Sequence, residues 1–235
     1  IYGEHYSTIA HHFETRDEDY LADAFVHDLE TGIQGTEIKA AFLKTAADEP
    51  GITPDVEKVH RAAARASLRT GAPIMAHSRP ASRTGPDQMR IFLDEGVAPE
   101  KVMIAHTGDT DDLDYIEELL ELGPFIGMDR YGTEIFLPDP QRNTTVAALV
   151  ERGHADRMVL SHDACATIDW FPPEMIAQLA PNWHFTHLFD TVIGQLTELG
   201  VQNDFMAPPG PHDQPFLRDV GTLEMLLFHD RALRA

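Results

Sequence analysis

Short apolar runs recur along this chain, each next to a longer segment with the marks of a helix. "IKAAFLK" (38–44), "APIMAH" (72–77), "KVMIAH" (101–106), "PFIGMD" (124–129) and "RMVLSHD" (157–163) are strand-sized, and "IYG" at the start makes six candidates. Between them, Thr53-Pro54 sets a cap residue before a proline, and Gly71 follows "DVEKVHRAAARASLRT" where a left-handed residue ends many helices. "DTDDLDYIEELLELG" carries acids in its first turn, places Leu113, Ile116 and Leu120 on one face, and stops at Gly123-Pro124. Such alternation predicts parallel strands joined by helical crossovers, in one domain. On pattern alone, an open doubly wound sheet and a barrel both fit.

Composition narrows the partners. Asp plus Glu number 39 against 18 Lys plus Arg, a formal charge of −21 over 235 residues, which repels nucleic acid and anionic membrane surfaces. Neither is expected as a partner, and no apolar run approaches the roughly 18 residues of a membrane span. The one cysteine, Cys165, excludes an internal disulfide, and no secretory signal pattern is visible, so the expected compartment is the cytoplasm. "NTT" at 143–145 reads as a polar cluster at a helix start rather than a glycosylation acceptor. A phosphate-cradling glycine motif and a serine nucleophile elbow are both missing from the sequence.

The chemistry lies at the ends of the runs: Lys44, His77, His106 and Asp163. In a (β/α)8 barrel the C-terminal strand ends face a common mouth, so residues distant in sequence meet there. Histidine is the commonest protein ligand for zinc-like metals, and aspartate binds metal or moves protons. Each has a plainer reading: a histidine after a strand is often a hydrogen-bonded core residue, and an aspartate there often caps the next helix. Lys44 in a metal-rich mouth would lose its charge through desolvation and like-charge repulsion. The neutral amine takes up carbon dioxide to give a carbamate, an anionic oxygen ligand able to bridge two metals. A lysine whose stem packs on the core while its head reaches water fits the same sequence.

"GIQGTEIKAAFLKTAADEPGITPDVEKVHRAAARASLRTGAPIMAHS", "IAHTGDTDDLDYI", "IGMDRYG" and "VLSHDACATIDW" resemble the phosphotriesterase family of the amidohydrolase superfamily, in its phosphotriesterase-like lactonase branch, from about residue 20 to 200. The resemblance implies an α/β fold, a (β/α)8 TIM barrel with a two-metal centre, and a homodimer. It implies that Lys44, rather than Lys39, is the N6-carboxylated lysine bridging two divalent ions, with zinc expected and cobalt, manganese or iron as alternatives. His77 and His106 would hold the more exposed metal, and Asp163 the more buried one while accepting a proton from the bridging water. Tyr2, Arg130, Tyr131, Cys165 and Trp170 match cleft-lining positions; Cys165 also reads as a small buried apolar side chain. The implied activity is opening of lactones, acyl-homoserine lactones among them, with promiscuous hydrolysis of organophosphate triesters by a metal-bridging hydroxide.

Two departures accompany the resemblance. The family's His-x-His strand has no counterpart, since "AHH" at 10–12 is a pair of adjacent histidines expected in a loop. Residues 1–200 are therefore expected to form strands three to eight of the barrel, with the first two β/α units upstream. Residues 201–235, with "APPGPHDQP", form a divergent tail read as a frame-shifted or recombined end. The rival readings are a barrel remnant that binds only a metal or small ligand, and a one-metal amidohydrolase acting on amides or cyclic amidines.

Overall fold

The structure is a computed structural model describing residues 10–165 and 173–202. Two helices come first, α1 (His11–Glu14) and α2 (Glu18–Glu30), followed by an alternation of strands and helices. The order is β1 (Leu43–Ala46), α3 (Pro54–Thr70), β2 (Ile74–His77), α4 (Thr84–Glu95), β3 (Val102–Ala105), α5 (Leu113–Glu121), β4 (Phe125–Met128), α6 (Asp139–Glu151) and β5 (Met158–Leu160). Helices α7 (Pro173–Leu179) and α8 (Ile193–Glu198) follow, the latter entered through a π-helical turn at Leu188–Val192. No helix among the described residues is long and apolar enough to cross a membrane.

The five strands form one sheet in the order β1-β2-β3-β4-β5, every pair parallel. A doubly wound sheet reverses its strand order at a switch point. This sheet never does, so it is an arc of a barrel, with "IYG" outside the described residues. Most of the core lies outside the arc, where Ile74, Ile104 and Ile126 pack under Phe92, Ile116, Leu119 and Leu149. A smaller inner cluster joins Met103, Ala105 and Val159 with Met75 and Phe125.

Local chemistry explains most boundaries. Thr53 caps α3 by accepting from the Val56 amide, and Gly71 ends it in a left-handed conformation, φ 75°. Asp112 caps α5 in the same way through the Tyr115 amide. The buried face of α5 is Tyr115, Ile116 and Leu119, with Leu113 and Leu120 only partly covered, a slightly rotated version of the expected stripe. The acidic α2 lies along α3, where Arg65 and Arg69 meet Asp19 (2.9 Å) and Asp23 (2.7 Å). Four-residue spacing puts both arginines on one side of their helix.

Three expectations change. The run beginning at Ile38 joins the ladder only at Leu43: Ile33–Gly35 makes a tight turn, Ile33 N–H donates to Ile38 O, and Ala40 N–H donates to Asp28 O. Residues 38–42 thus wrap against α2, and Lys44 is the second residue of a strand that continues to Ala46. His11 and His12 open the short helix α1 rather than a loop. The 143–145 cluster lies within α6, with Asn143 and Thr145 buried and Asn143 donating to Gln195 Oε1 (2.9 Å).

His60 ties α3 to the layer beneath. Its Nδ1 meets Val56 O (2.7 Å), Nε2 meets the Gln88 amide (3.1 Å), and Gln88 Nε2 donates to His77 O (3.1 Å). Burial pushes its pKa below the usual range, with the bonds to Val56 and Gln88 opposing only in part. The unfolded chain takes up this proton near pH 6.5, the folded chain only at lower pH. His60 therefore costs the native state nothing above about pH 6.5, and as pH falls below it weakens the fold by up to about 1.4 kcal/mol per pH unit. Urea unfolding between pH 7.5 and 5 should show a shallower acid loss in His60→Gln; an unchanged slope would rule this out.

Candidate metal centre

Strand register sets the geometry. Lys44 pairs with Met75, and Met75 with Met103, so these residues form one row. His77 lies two residues beyond Met75, on the same face and about 6–7 Å nearer the C-terminal edge. A short side chain at position 44 would stop among the inner apolar residues, whereas four methylenes carry an amine up to the histidine level. Lys44 Nζ lies 3.4 Å from Thr45 O. Burial lowers its pKa to about 8, although the carboxylates of Asp129 and Asp163 pull the other way.

His77 ends β2, and His106 follows β3 directly; their rings meet edge to face with centroids 4.5 Å apart. Burial first, then the neighbouring His106, Lys44 and Arg130, pushes the His77 pKa down to about 3, so it is neutral at ordinary pH. His106 adopts φ 65° and Asp163 φ 50°, two of the four non-glycine residues with positive φ among those described. Such conformations cost about 1–2 kcal/mol each and persist where surrounding contacts impose them.

For His106 that contact is Asp129, just past β4. One oxygen, Oδ1, accepts from both the His106 amide (2.8 Å) and its Nδ1 (3.0 Å). Gly127 makes this approach feasible, since a Cβ there would sit 2.4 Å from Asp129 Oδ2. With its proton on Nδ1, the ring turns the Nε2 lone pair outward, and Asp163 Oδ2 lies 4.0 Å away. His106 Nε2 and Asp163 Oδ2 thus face the same space at the strand ends, Oδ2 also accepting from Arg130 Nε (3.1 Å). No three His, Cys, Asp or Glu side chains among the described residues form a metal-holding group. The described donors, the two imidazoles and Asp163, therefore fit only part of a metal set.

The other expected site residues divide. Arg130 is in place: its Nε donates to Asp163 Oδ2 (3.1 Å), its NH1 to Asp109 Oδ2 (2.7 Å), and its guanidinium covers the Phe136 ring. Tyr131, expected in the cleft, is instead fully buried in the core beneath the Arg142 guanidinium. It lies in the turn after β4, its N–H donating to Ser161 O (3.2 Å), while its neighbour Arg130 reaches the mouth. Cys165 is exposed, not a buried apolar side chain, with its Sγ 3.8 Å from Asp163 O. Tyr2 and Trp170 lie outside the described residues.

Sequence reasoning gave no role to Asp48, Asp109, Asp129, Asp139, Arg142 or His187. The available signal was a carboxylate within a few residues of a strand end, as in "HTGD" and "GMD". Behind Arg130, Asp109 Oδ1 takes Arg142 NH2 (3.2 Å), Arg142 NH1 reaches Asp139 Oδ1 (3.1 Å), and His187 Nε2 meets Asp139 Oδ2 (2.7 Å). Asp139 also accepts from the Gly132 amide, which fixes the loop after β4. Arg142 is wholly buried between two carboxylates, so Arg142→Met removes a charged partner from each, leaving Asp109 to Arg130 and Asp139 to Gly132 and His187. The variant should lose about 3 kcal/mol in urea unfolding; a loss under about 1 kcal/mol would show that the neighbours of Asp109 and Asp139 suffice without it.

With this geometry established, comparisons with known proteins place the chain. The model of the Phosphotriesterase family matches residues 2–207. The Aryldialkylphosphatase of Saccharolobus solfataricus is 48% identical over 204 residues, covering 86% of this chain and 65% of that one. The solved phosphotriesterase of Mycobacterium tuberculosis superposes with TM-score 0.77 at 45% identity, over 87% of this chain and 60% of its own. A structure from engineering organophosphate hydrolysis into a weak promiscuous lactonase template gives TM-score 0.72 at 29% identity, over 90% and 64%. The chain thus spans under two thirds of the length of each of these relatives. The arc of parallel strands is part of a TIM barrel, and the chain belongs to the phosphotriesterase family.

Proposed function

We propose that this chain belongs to a metal-dependent hydrolase that opens lactones, acyl-homoserine lactones among them, with promiscuous hydrolysis of organophosphate triesters. The observation that carries this reading is the pairing of His106 Nε2 with Asp163 Oδ2 across 4.0 Å, at the strand ends where His77 also emerges. Membership of a hydrolase family and the likeness to a promiscuous lactonase template support it.

His77 and His106 would hold one divalent ion and Asp163 a second, with carboxylated Lys44 between them. Zinc fits these nitrogen and oxygen donors, and cobalt, manganese or iron also accept them. Bound metal supplies Lewis acidity and lowers the pKa of water. Carboxylation requires the neutral amine, whose nitrogen attacks carbon dioxide and releases a proton to solvent; burial of Lys44 favours that form. Asp163 accepts a proton from the attacking water and passes it outward. Arg130, bonded to Asp163 and resting on Phe136, orients that carboxylate and puts positive charge beside an electron-rich ester oxygen. A homodimer and a cytoplasmic setting complete the reading by analogy with the family.

A binding remnant is the second reading, favoured by the lack of a three-residue metal-holding group among the described residues. Reconstitution with Zn(II) and bicarbonate separates the two. The hydrolase reading expects about two metals per chain in the assembled protein, lactone opening, and loss of both in Lys44→Ala. Asp163→Asn should lower turnover about 10²–10⁴-fold. At most one metal with no turnover of lactone or phosphotriester would leave the remnant reading, and a Lys44→Ala protein with full metal content would point to a one-metal amidohydrolase.

A further inference from the structure

The chain between α7 and α8 crosses the ends of two strands. Gly132, in the loop after β4, lies directly against its backbone: φ there is 85°, and a Cβ would sit 2.2 Å from Asn182 O and 3.0 Å from Trp183 Cα. The Trp183 indole then donates from Nε1 to His162 O (2.9 Å), just past β5, and the Phe185 ring meets the His162 ring edge on. His184, Phe185 and Thr186 are exposed, so apolar burial does little to hold this stretch down. The hold comes from His187, which is buried and whose Nε2 meets Asp139 Oδ2 at 2.7 Å. The same carboxylate accepts from the Gly132 amide (3.0 Å) and from Arg142 NH1 (3.1 Å). One side chain at the start of α6 thus grips both the crossing segment and the loop it lies on.

We propose that His187 is a positioning residue: bonded to Asp139, it seats residues 182–187 as a strap across the loops after β4 and β5, and through the Trp183 indole the strap holds the turn that carries Asp163. The proposal rests on the reading of Asp163 as the proton acceptor. With φ 50°, Asp163 needs outside contacts to keep its conformation. His162 gives one, its Nδ1 accepting from the Ala164 amide (2.9 Å) and so closing the turn around Asp163, while Trp183 fixes His162 through its carbonyl. Arg130 gives the other, its Nε donating to Asp163 Oδ2, and it comes from the loop whose Gly132 amide Asp139 holds. Both restraints lead back to Asp139, and His187 is the partner that joins the strap to it. A hydrogen bond to a charged carboxylate is among the stronger ones available for this task.

The test uses the full chain, ¹⁵N-labelled. Its two tryptophans, Trp170 and Trp183, give two indole N–H signals, which Trp183→Phe assigns. In His187→Leu the Trp183 indole proton and the amides of 162–165 should exchange with solvent about 10–100-fold faster, the worth of a hydrogen bond to a charged partner, while the amides of β2 and β3 keep their rates. His187→Gln sets an amide nitrogen near the place of Nε2 and should restore slow exchange. Gly132→Ala, which displaces the strap without altering a charge, should speed the same protons. In lactone opening by the Zn(II)-loaded chain, His187→Leu should lower kcat by up to about 10²-fold with KM little changed, and His187→Gln should recover it. Unchanged exchange at 162–165 in both His187→Leu and Gly132→Ala, an equal rise throughout the chain, or faster exchange with kcat unaltered overturns the proposal. The expected exchange pattern in a chain that opens no lactone would uphold the strap and overturn the hydrolase reading instead.

Discussion

The site depends first on the unbroken parallel register of β1 through β5. Because consecutive strands are also neighbours, each crossover returns the chain with its C-terminal end at the same rim, and residues tens of positions apart arrive at one height. His77 and His106 meet in this way without any local sequence relation. Lys44 starts one row lower, paired with Met75. The ladder therefore fixes both which residues meet and what size of side chain each position demands.

Much of this was legible in the chain itself. Helix α3 is announced by Thr53-Pro54 and Gly71, and His77 and His106 stand at the ends of unmistakable apolar runs. The start of β1 was not, because residues 38–42 are as apolar as a strand but are claimed by a turn at Ile33–Gly35 and by backbone bonds to α2. Nothing in a one-dimensional pattern marks where a ladder partner becomes available. Tyr131 failed for a related reason: past a strand end alternation no longer holds, and only the path of the turn decides that Arg130 faces the mouth and Tyr131 the core.

The carboxylates were the least legible part. Asp48, Asp109 and Asp129 look like the caps and surface acids of a chain with a strong excess of negative charge, yet each has a cationic or imidazole partner from another element. Their roles come from desolvation, which turns an ordinary charge into one whose partner and orientation are fixed. Positive φ at His106 and Asp163 belongs with this, since backbone strain is tolerated where a close electrostatic contact imposes it.

The small inner cluster beneath the rim has its own consequence. It is built largely from Met75, Met103 and Phe125, with Val159 and Ala105 filling the remainder. Thioethers are soft, adaptable packing units, but a single oxygen atom turns one into a polar, stereogenic sulfoxide. Oxidation of Met75 or Met103 would thus put a polar group into the row on which Lys44 stands, and a reductant that repairs methionine would restore the shape of the rim without touching any of its polar residues.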